Sequence, residues 1–258
     1  MNETPVKKPH VGLFVTCLVD LFRPSVGFSA IDLLEHAGCQ VSVPPAQTCC
    51  GQPAYNSGDR ADTKDLAQQV IAAFEQFDFV VAPSGSCAAM VKKHYPSLMG
   101  DDAAWAARAQ AVSDKTFELV SFLTDVLFVS SLDARFEGSV TYHDSCSGLR
   151  ELGISRQPRK LLSMVDGAEV KEMKDPDVCC GFGGTFCVKY SDISNNIVSK
   201  KTANIEEAGA DVLAAGDLGC LLNMAGKLSR EGKTTQVRHI AEILAGNLDA
   251  PAIGAPKG

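Results

Sequence analysis

Thr48-Cys49-Cys50-Gly51 and Val178-Cys179-Cys180-Gly181 are the two stretches that decide how this sequence is organised. Each Cys-Cys-Gly triplet has one isolated cysteine before it and one after it. These are Cys17 and Cys87 for the first triplet, and Cys146 and Cys220 for the second. The offsets between equivalent cysteines are 129, 130, 130 and 133 residues. Four cysteines that recur in one order at a nearly constant offset indicate an internal duplication.

The segments between these cysteines follow one alternating pattern in both halves. Short apolar runs predict strands at Val11–Thr16, Gln40–Val43 and Phe79–Ala82, and at Ser139–His143, Glu169–Glu172 and Asp211–Ala215. Amphipathic segments predict helices at Pro24–Ala37, Thr63–Gln76, Pro158–Val165 and Ile193–Ala208. Alternating strands and helices are typical of a parallel α/β sheet. We therefore expect an α/β fold of two Rossmann-like domains with parallel sheets, related by a pseudo-two-fold axis.

The duplication also predicts the domain organisation. We expect a first cysteine-rich domain at residues 1–100, a helical connector at 101–136, a second cysteine-rich domain at 137–246 and a flexible tail at 247–258. Within the connector, Ala103–Val112 and Phe117–Val129 have helical patterns. The tail is rich in Ala, Pro and Gly, and chain ends of that composition are commonly frayed.

Bulk properties exclude several classes of protein. The chain has 258 residues and a formal net charge of −7, so nucleic acid, which demands clustered Lys and Arg, is an unfavourable partner. No apolar stretch reaches the roughly 18–20 residues of a membrane span, and Met1–His10 lacks the apolar core of a secretory signal. We expect a cytoplasmic protein. Ten cysteines in a reducing compartment indicate metal or redox chemistry rather than structural disulfides.

The predicted topology gathers the cysteines into two groups of four. Ligand sites of parallel α/β sheets lie beyond the carboxyl ends of the strands, and each single cysteine directly follows a predicted strand. We therefore expect two metal-binding quartets: Cys17, Cys49, Cys50 and Cys87 in the first repeat, and Cys146, Cys179, Cys180 and Cys220 in the second.

The spacing within each quartet favours an iron–sulfur cluster over a single ion. Structural zinc sites usually take their ligands as two close pairs. Here the one close pair is adjacent, and adjacent cysteines bind different irons of a larger cluster more easily than one small ion. Glycines after each pair allow a tight turn and let backbone N–H groups approach the sulfurs; the candidate cofactor-binding glycines are Gly51, Gly181, Gly183 and Gly184. One 4Fe-4S cluster per repeat needs four thiolates, and zinc in one repeat stays an alternative.

Three stretches carry a resemblance to a known family: Pro83-Ser84-Gly85-Ser86-Cys87, Tyr142-His143-Asp144-Ser145-Cys146 and Cys179–Phe186. With the triplets, they resemble the CCG cysteine-rich domain, which occurs twice in one of the subunits of heterodisulfide reductase and in the iron–sulfur subunit of glycolate oxidase. Within this family the chain resembles in particular the small iron–sulfur subunits of L-lactate dehydrogenase complexes. The resemblance extends from about Val11 to Gly226 and implies a non-catalytic subunit.

The sequence departs from the fuller family motif at one position in each repeat. That motif ends in Cys-x-x-Cys, and its first cysteine is replaced here by Ser84 and by Asp217. In heterodisulfide reductase the additional cysteine helps to hold an unusual non-cubane cluster, so the type of cluster stays open. Cys187 is a further sulfur near the second triplet, either as a ligand or as a residue buried by the helix that it begins.

Several polar residues near the second repeat have both a structural and a functional interpretation. For His143 we favour a strand-end histidine that hydrogen-bonds the turn over a ligand or proton relay. We expect Asp144 to cap the loop rather than to act as a base, and Arg150 and Arg159 to be surface residues. No nucleophile elbow, Walker motif or dinucleotide fingerprint is present in the sequence.

Three functions follow as hypotheses. The resemblance implies an electron-transfer subunit that relays electrons from the oxidation of L-lactate to pyruvate toward the respiratory chain. Its partners would be other iron–sulfur and lactate-utilisation subunits of one complex, through which it could lie peripherally at the inner membrane. The alternatives are a cluster-dependent disulfide reductase subunit of the heterodisulfide reductase type and a non-redox zinc module.

Overall fold

A computed structural model describes residues 8–255 of the chain. The first seven residues of Met1–His10, the segment expected to lack the apolar core of a secretory signal, and the last three of the predicted tail lie outside this range. The helices and strands within it form two lobes of the same construction.

The first lobe contains, in chain order, β1 (His10–Leu13), α1 (Cys17–Phe22), α2 (Pro24–His36), β2 (Gln40–Ser42), α3 (Gln52–Asn56), α4 (Arg60–Phe74), β3 (Phe79–Ala82), α5 (Gly85–Ala89), a π-helical segment (Met90–His94), α6 (Tyr95–Met99), α7 (Ala106–Asp114), β4 (Thr116–Glu118), α8 (Leu119–Ser121) and a second π-helical segment (Phe122–Val126). The second lobe contains β5 (Arg135–Tyr142), α9 (Cys146–Leu152), α10 (Arg156–Leu162), β6 (Asp166–Val170), α11 (Phe186–Lys189), α12 (Ser191–Ala208), β7 (Val212–Ala215), α13 (Leu218–Arg230), β8 (Gln236–His239) and α14 (Ile240–Leu244).

Each lobe is built on a four-stranded sheet in which all neighbouring strands are parallel. The strand orders are β2-β1-β3-β4 and β6-β5-β7-β8, so the two sheets have the same topology. All four residues of β7 are buried, as are the last three of β1 and of β3, because helices cover both faces of a parallel sheet. The predicted fold class is confirmed.

Contacts between the lobes are reciprocal, as a pseudo-two-fold axis requires. Helix α1 of the first lobe packs against α13 of the second, and the equivalent α9 packs against α5. Likewise α2 packs against α14, and α10 packs against α8. The larger hydrophobic core cluster contains residues of both lobes, among them Leu34, Leu119 and Leu244. The lobes therefore share a core.

The prediction that residues 101–136 form a helical connector outside both repeats is corrected by the structure. Thr116–Glu118 forms β4, the edge strand that completes the first sheet beside β3. The pair β4–α8 is the counterpart of β8–α14 in the second lobe, and both helices begin directly after their strand, with Glu118 and His239 as N-caps. The helix expected from Phe117 therefore begins two residues later.

The tail from residue 247 to 255 packs on the second lobe rather than extending away as a flexible end. The N–H of Ile253 donates to the Val237 carbonyl at 2.8 Å, and Arg238 Nη1 donates to the Ala250 carbonyl at 2.9 Å. The side chain of Ile253 is buried. A backbone bond to β8 and an apolar contact hold this segment in place.

Candidate metal centres

The first quartet lies at the carboxyl edge of the first sheet. Cys17 is the first residue of α1, Cys87 lies in α5 directly after β3, and Cys49-Cys50 lie in the loop between β2 and α3. The four side chains line one cavity of about 220 Å³, and the sulfurs of Cys50 and Cys87 are 3.5 Å apart. The structure therefore brings together the four cysteines that the sequence predicted as one site.

The second quartet occupies the equivalent place in the second lobe. Cys146 is the first residue of α9, Cys220 lies in the first turn of α13, and Cys179-Cys180 lie in the loop after β6. These four cysteines line a cavity of about 330 Å³. As in the first lobe, the second cysteine of the adjacent pair is almost fully buried, so each site is closed to bulk water on its inner side.

The glycine after each adjacent pair directs a backbone N–H at a cysteine sulfur. Gly51 N–H points at Cys49 Sγ at 3.4 Å, and Gly181 N–H points at Cys179 Sγ at 3.3 Å. Both glycines have left-handed φ angles, +84° and +82°, which side chains with a Cβ rarely adopt. The turn geometry that creates the N–H···S contact therefore depends on glycine in both repeats.

Gly183 and Gly184 have a different role from Gly51 and Gly181. Their φ angles are also left-handed, +53° and +64°, but they shape the loop between the second triplet and α11. Gly184 lines both cavities. Gly183 and Gly184 thus form part of the wall of the second quartet's cavity.

In the first quartet, hydrogen bonds between the thiols shift their pKa values in opposite directions. The Cys49 pKa lies far below its ordinary value because its sulfur accepts from the thiols of Cys17 and Cys50. The pKa values of Cys17 and Cys50 are raised, first by those hydrogen bonds and then by burial. One sulfur thus accepts while its neighbours donate. A cationic iron core would favour the thiolate form of all four.

In the second quartet, too, hydrogen bonds between thiols and burial shift the pKa values of the cysteines. The Cys146 pKa is raised by its hydrogen bond to Cys179 and by burial. A hydrogen bond with Cys180 lowers the Cys220 pKa, but burial and the charge of Asp217 outweigh it and raise this pKa to about 11. Closely packed thiols of this kind, two of them buried and two half-buried, are a donor set for a metal centre, and the residues present fit an iron–sulfur cluster.

The two residues that replace the additional family cysteines contact each other across the lobe interface. Ser84 Oγ donates to Asp217 Oδ2 at 3.2 Å, and the Ser86 N–H donates to the same oxygen at 3.0 Å. Asp217 lines both cavities, as do Gln52, Ser86, Phe182 and Gly184. The two candidate centres are therefore separated by a shared wall of side chains.

His143 differs from the prediction. It is fully buried, and neither ring nitrogen has a hydrogen-bond partner among the described residues, so the expected bond to the turn is wrong. One ring nitrogen lies within 4.8 Å of the sulfurs of both Cys180 and Cys220. Burial lowers the pKa of His143 to about 3, so the imidazole is neutral at physiological pH and keeps a lone pair for a metal.

The residues around His143 form a partly buried ionic network. Asp144 accepts two bonds from Arg159, at 2.9 and 3.0 Å, and Arg159 also pairs with Glu172. Arg159 is therefore a structural residue rather than the expected surface arginine, whereas Arg150 is exposed as predicted. Lys201, which the sequence analysis did not single out, is fully buried on α12. A lysine in an amphipathic helix is normally expected on the exposed face, so nothing in the sequence indicated that Lys201 is buried.

The two remaining cysteines stay outside the quartets. Cys187 Sγ contacts the Gly184 carbonyl at 3.4 Å and does not line the cavity of the second quartet. Cys39 is buried in the hydrophobic core after α2. Neither is brought into a candidate centre.

The CCG cysteine-rich domain family matches the chain twice, at residues 11–92 and 140–225. The class is thus a protein of two cysteine-rich α/β domains. The chain is 50% identical over 240 residues to Lactate utilization protein A of Macrococcus caseolyticus, covering 93% of this chain and 98% of that protein. It is 49% identical over 234 residues to the protein of the same name from Bacillus cytotoxicus, covering 91% and 98%.

The chain therefore belongs to the CCG cysteine-rich domain family, in which its relatives carry the name Lactate utilization protein A. A crystal structure of a hypothetical protein from Helicobacter pylori has a TM-score of 0.67 at 14% identity, covering 99% of this chain and 54% of that one. At this identity the likeness shows a common fold. Within residues 8–255, no helix has the length and apolar character needed to cross a membrane.

Proposed function

We propose that this chain is an iron–sulfur electron-transfer subunit that holds one 4Fe-4S cluster in each lobe. The observation that carries the proposal is the convergence of four cysteine side chains on one cavity in each lobe. A 4Fe-4S cluster is held by four thiolates. Each lobe offers that number, and the adjacent pair can reach two different irons.

A single zinc ion is the second candidate, and one distance favours it. Ligand sulfurs of a tetrahedral zinc site lie roughly 3.8 Å apart, given a Zn–S distance of about 2.3 Å. The Cys50 and Cys87 sulfurs are 3.5 Å apart, so a cluster would have to move them outward. The cavities of about 220 and 330 Å³ supply space for that movement, and a lone ion would leave most of it unused. The size of the cavities favours the cluster.

The bound clusters would supply one-electron transfer, and the chain would tune it. Hydrogen bonds to cluster ligands stabilise the reduced form and raise the reduction potential. The N–H groups of Gly51 and Gly181 are placed to act on the Cys49 and Cys179 sulfurs. Burial of Cys50 and Cys180 keeps water from the inner side of each site.

A second oxidoreductase function, cluster-dependent disulfide reduction, has less support. The non-cubane cluster of that chemistry uses the additional cysteine of each motif. Ser84 and Asp217 stand at those positions and hydrogen-bond one another. Each site therefore has four cysteines and no fifth thiolate, which suits an ordinary cubane cluster.

The relatives' name, Lactate utilization protein A, points to lactate as the source of electrons. We infer that a partner oxidises L-lactate to pyruvate and that this chain relays the electrons toward the respiratory chain. It would do so from the cytoplasm, bound to other iron–sulfur and lactate-utilisation subunits and peripheral to the inner membrane through them. Leu21 and Phe22 support a partner surface, because they are 72% and 63% exposed on α1, the helix that begins at Cys17.

Anaerobic purification of the full chain, with iron, sulfide and zinc analysis, tests the proposal. We expect a brown protein with about eight irons per chain that bleaches on reduction. The matched variants Cys17→Ala and Cys146→Ala should each lose about half of the iron, because each empties one lobe. A colourless protein that contains zinc and no iron would refute the cluster.

The physiological assignment needs a separate experiment. With the co-purified lactate-utilisation partners, the clusters should be reduced on addition of L-lactate and not of D-lactate. An EPR signal of non-cubane type that responds to thiols would favour disulfide reduction instead. Clusters that are present but stay oxidised with the complete set of partners and L-lactate would reject the lactate assignment alone.

A further inference from the structure

The imidazole of His143 makes no hydrogen bond of ordinary geometry to the described residues. Against the larger effect of burial, which lowers the His143 pKa, the Pro176 carbonyl lies near enough to raise it slightly. The side chain is fully buried at the end of β5, and both ring nitrogens lack a hydrogen bond among the described residues. Leaving a buried donor or acceptor unpaired destabilises the folded protein, and buried polar groups are nearly always satisfied. His143 does not itself line the cavity of the second quartet, but one of its ring nitrogens forms a three-donor group within 4.8 Å with the sulfurs of Cys180 and Cys220, which do.

The polar groups nearest to this ring are already engaged elsewhere. The Pro176 carbonyl accepts from Lys201 Nζ at 2.8 Å and from the Asp144 N–H at 3.1 Å, which uses both of its lone pairs. The Asp144 carboxylate is held by Arg159 through two bonds. These groups fix the backbone on either side of His143, and the Pro176 carbonyl that faces its ring is already shared by two other donors.

The first lobe shows that packing alone does not require an imidazole at this place. Phe14 stands three residues before Cys17, as His143 stands three residues before Cys146. Phe14 is also fully buried, and its ring packs edge-on against Phe74 with the centroids 5.4 Å apart. An apolar ring therefore fills the equivalent space in the first lobe, and the histidine adds a donor in the second lobe alone.

We propose that His143, through a ring nitrogen, takes one ligand position of the metal centre in the second quartet, so that three of the four cysteines take the others. This inference rests on the proposed function only in requiring a metal centre at that quartet. The chain would then hold an all-cysteine centre in the first lobe and a mixed cysteine–histidine centre in the second. A neutral imidazole carries less negative charge than a thiolate, and histidine ligation raises the potential of iron–sulfur centres. The second centre should have the higher reduction potential.

The experiment uses the anaerobically purified full chain with its first site emptied by Cys17→Ala, so that the signal comes from the second lobe. Pulsed EPR of the reduced protein, with natural and with ¹⁵N-labelled histidine, detects a directly bound imidazole. We expect a strong nitrogen coupling that changes with the label and disappears in His143→Phe, the residue type of the first lobe. The variant His143→Cys should keep the metal, lose the nitrogen coupling and lower the potential, because a thiolate replaces a neutral ligand.

A loaded second centre without histidine coupling would overturn the inference, as would a coupling that survives in both His143 variants. Metal analysis separates this failure from that of the proposed function. If the second lobe binds zinc, the iron proposal fails, and zinc X-ray absorption then decides whether a nitrogen belongs to the ligand shell. If the second lobe binds no metal at all, both proposals fail. His143→Cys guards against misfolding of the Phe variant, because its retained metal shows an intact site.

Discussion

Gly181→Ala is the substitution whose effect on the second centre can be worked out most fully. Gly181 has a φ of +82°, and an alanine Cβ there would lie 2.8 Å from the Ser194 carbonyl oxygen. The left-handed conformation costs an ordinary residue about 1–2 kcal/mol. Overpacking against backbone, which cannot move aside as a flexible side chain can, adds about 1–3 kcal/mol. The total is about 2–5 kcal/mol, enough to weaken metal retention more than about tenfold.

Gly51→Ala is the matched control in the first lobe. Its φ of +84° gives alanine the same conformational cost, but the nearest atom to the new Cβ is Thr63 Cγ2 at 3.4 Å, an ordinary contact. We therefore expect a loss of about 1–2 kcal/mol for this variant. The difference between the two variants isolates the contact with the Ser194 carbonyl from the loss of glycine.

Both variants are measured by thermal unfolding and by the rate at which an iron chelator removes metal from the anaerobic protein. We expect stability and metal retention to fall in the order wild type, Gly51→Ala, Gly181→Ala. The second lobe should lose its metal selectively in Gly181→Ala. Equal losses in the two variants, or an unchanged second centre in Gly181→Ala, would refute the steric part of the reasoning.

Three further predictions concern the interface and the remaining thiol. Burial raises the Glu118 pKa from 4.5 to about 7, so the free energy of unfolding should fall as pH rises from 4.5 to 7. Glu118→Gln should abolish this fall and gain about 3 kcal/mol of stability at pH 8. The prediction is contradicted if the melting temperatures of wild type and variant change in parallel from pH 6 to 8. Arg23→Ala leaves the fully buried Glu242 carboxylate without its 2.7 Å ion pair. It should lower the free energy of unfolding, measured with denaturant, by about 3–5 kcal/mol. A loss below about 1 kcal/mol would show that other groups compensate the Glu242 charge. Cys187→Ala should leave iron content unchanged, and a drop in iron would make this thiol a ligand.

The sequence was sufficient to predict the duplicated α/β fold, because its evidence is local and occurs twice. Apolar runs of strand length precede the single cysteines, and a parallel sheet requires their carboxyl ends to meet at one edge. The strand Phe79–Ala82 was predicted with the bounds that the structure has. The convergence of each quartet follows from the same rule.

The edge strand β4 could not be predicted in this way, although the opposite edge strand, β2, was. β4 has three residues, Thr116–Glu118, and lies between helical patterns on both sides. So short a run gives no periodicity of its own, and its pairing with β3 supplies the hydrogen bonds that make it a strand. The packed tail was missed for a related reason: its composition is that of a loop, whereas its order comes from bonds to β8.

The role of His143 was predicted wrongly because the prediction considered only its neighbours in sequence. A histidine at a strand end usually finds a partner in the following turn. The carbonyl that faces His143 is instead that of Pro176, 33 residues further along the chain, and it accepts from Lys201. The contact between Ser84 and Asp217 is equally invisible in the sequence, because it joins positions that are equivalent by the duplication but lie in different lobes.

The Ser84–Asp217 contact also explains how a chain of this family can do without the additional cysteine of each motif. Residues at these two positions face the lobe interface, where Asp217 accepts from both Ser84 and Ser86 and lines both cavities. A thiolate at each position would place two more negative sulfurs against the same wall, where like charges repel strongly because water is excluded. A serine and a single carboxylate instead form a donor–acceptor pair with one charge. The replacement thus exchanges the additional cysteine of each motif for a hydrogen bond between the two lobes.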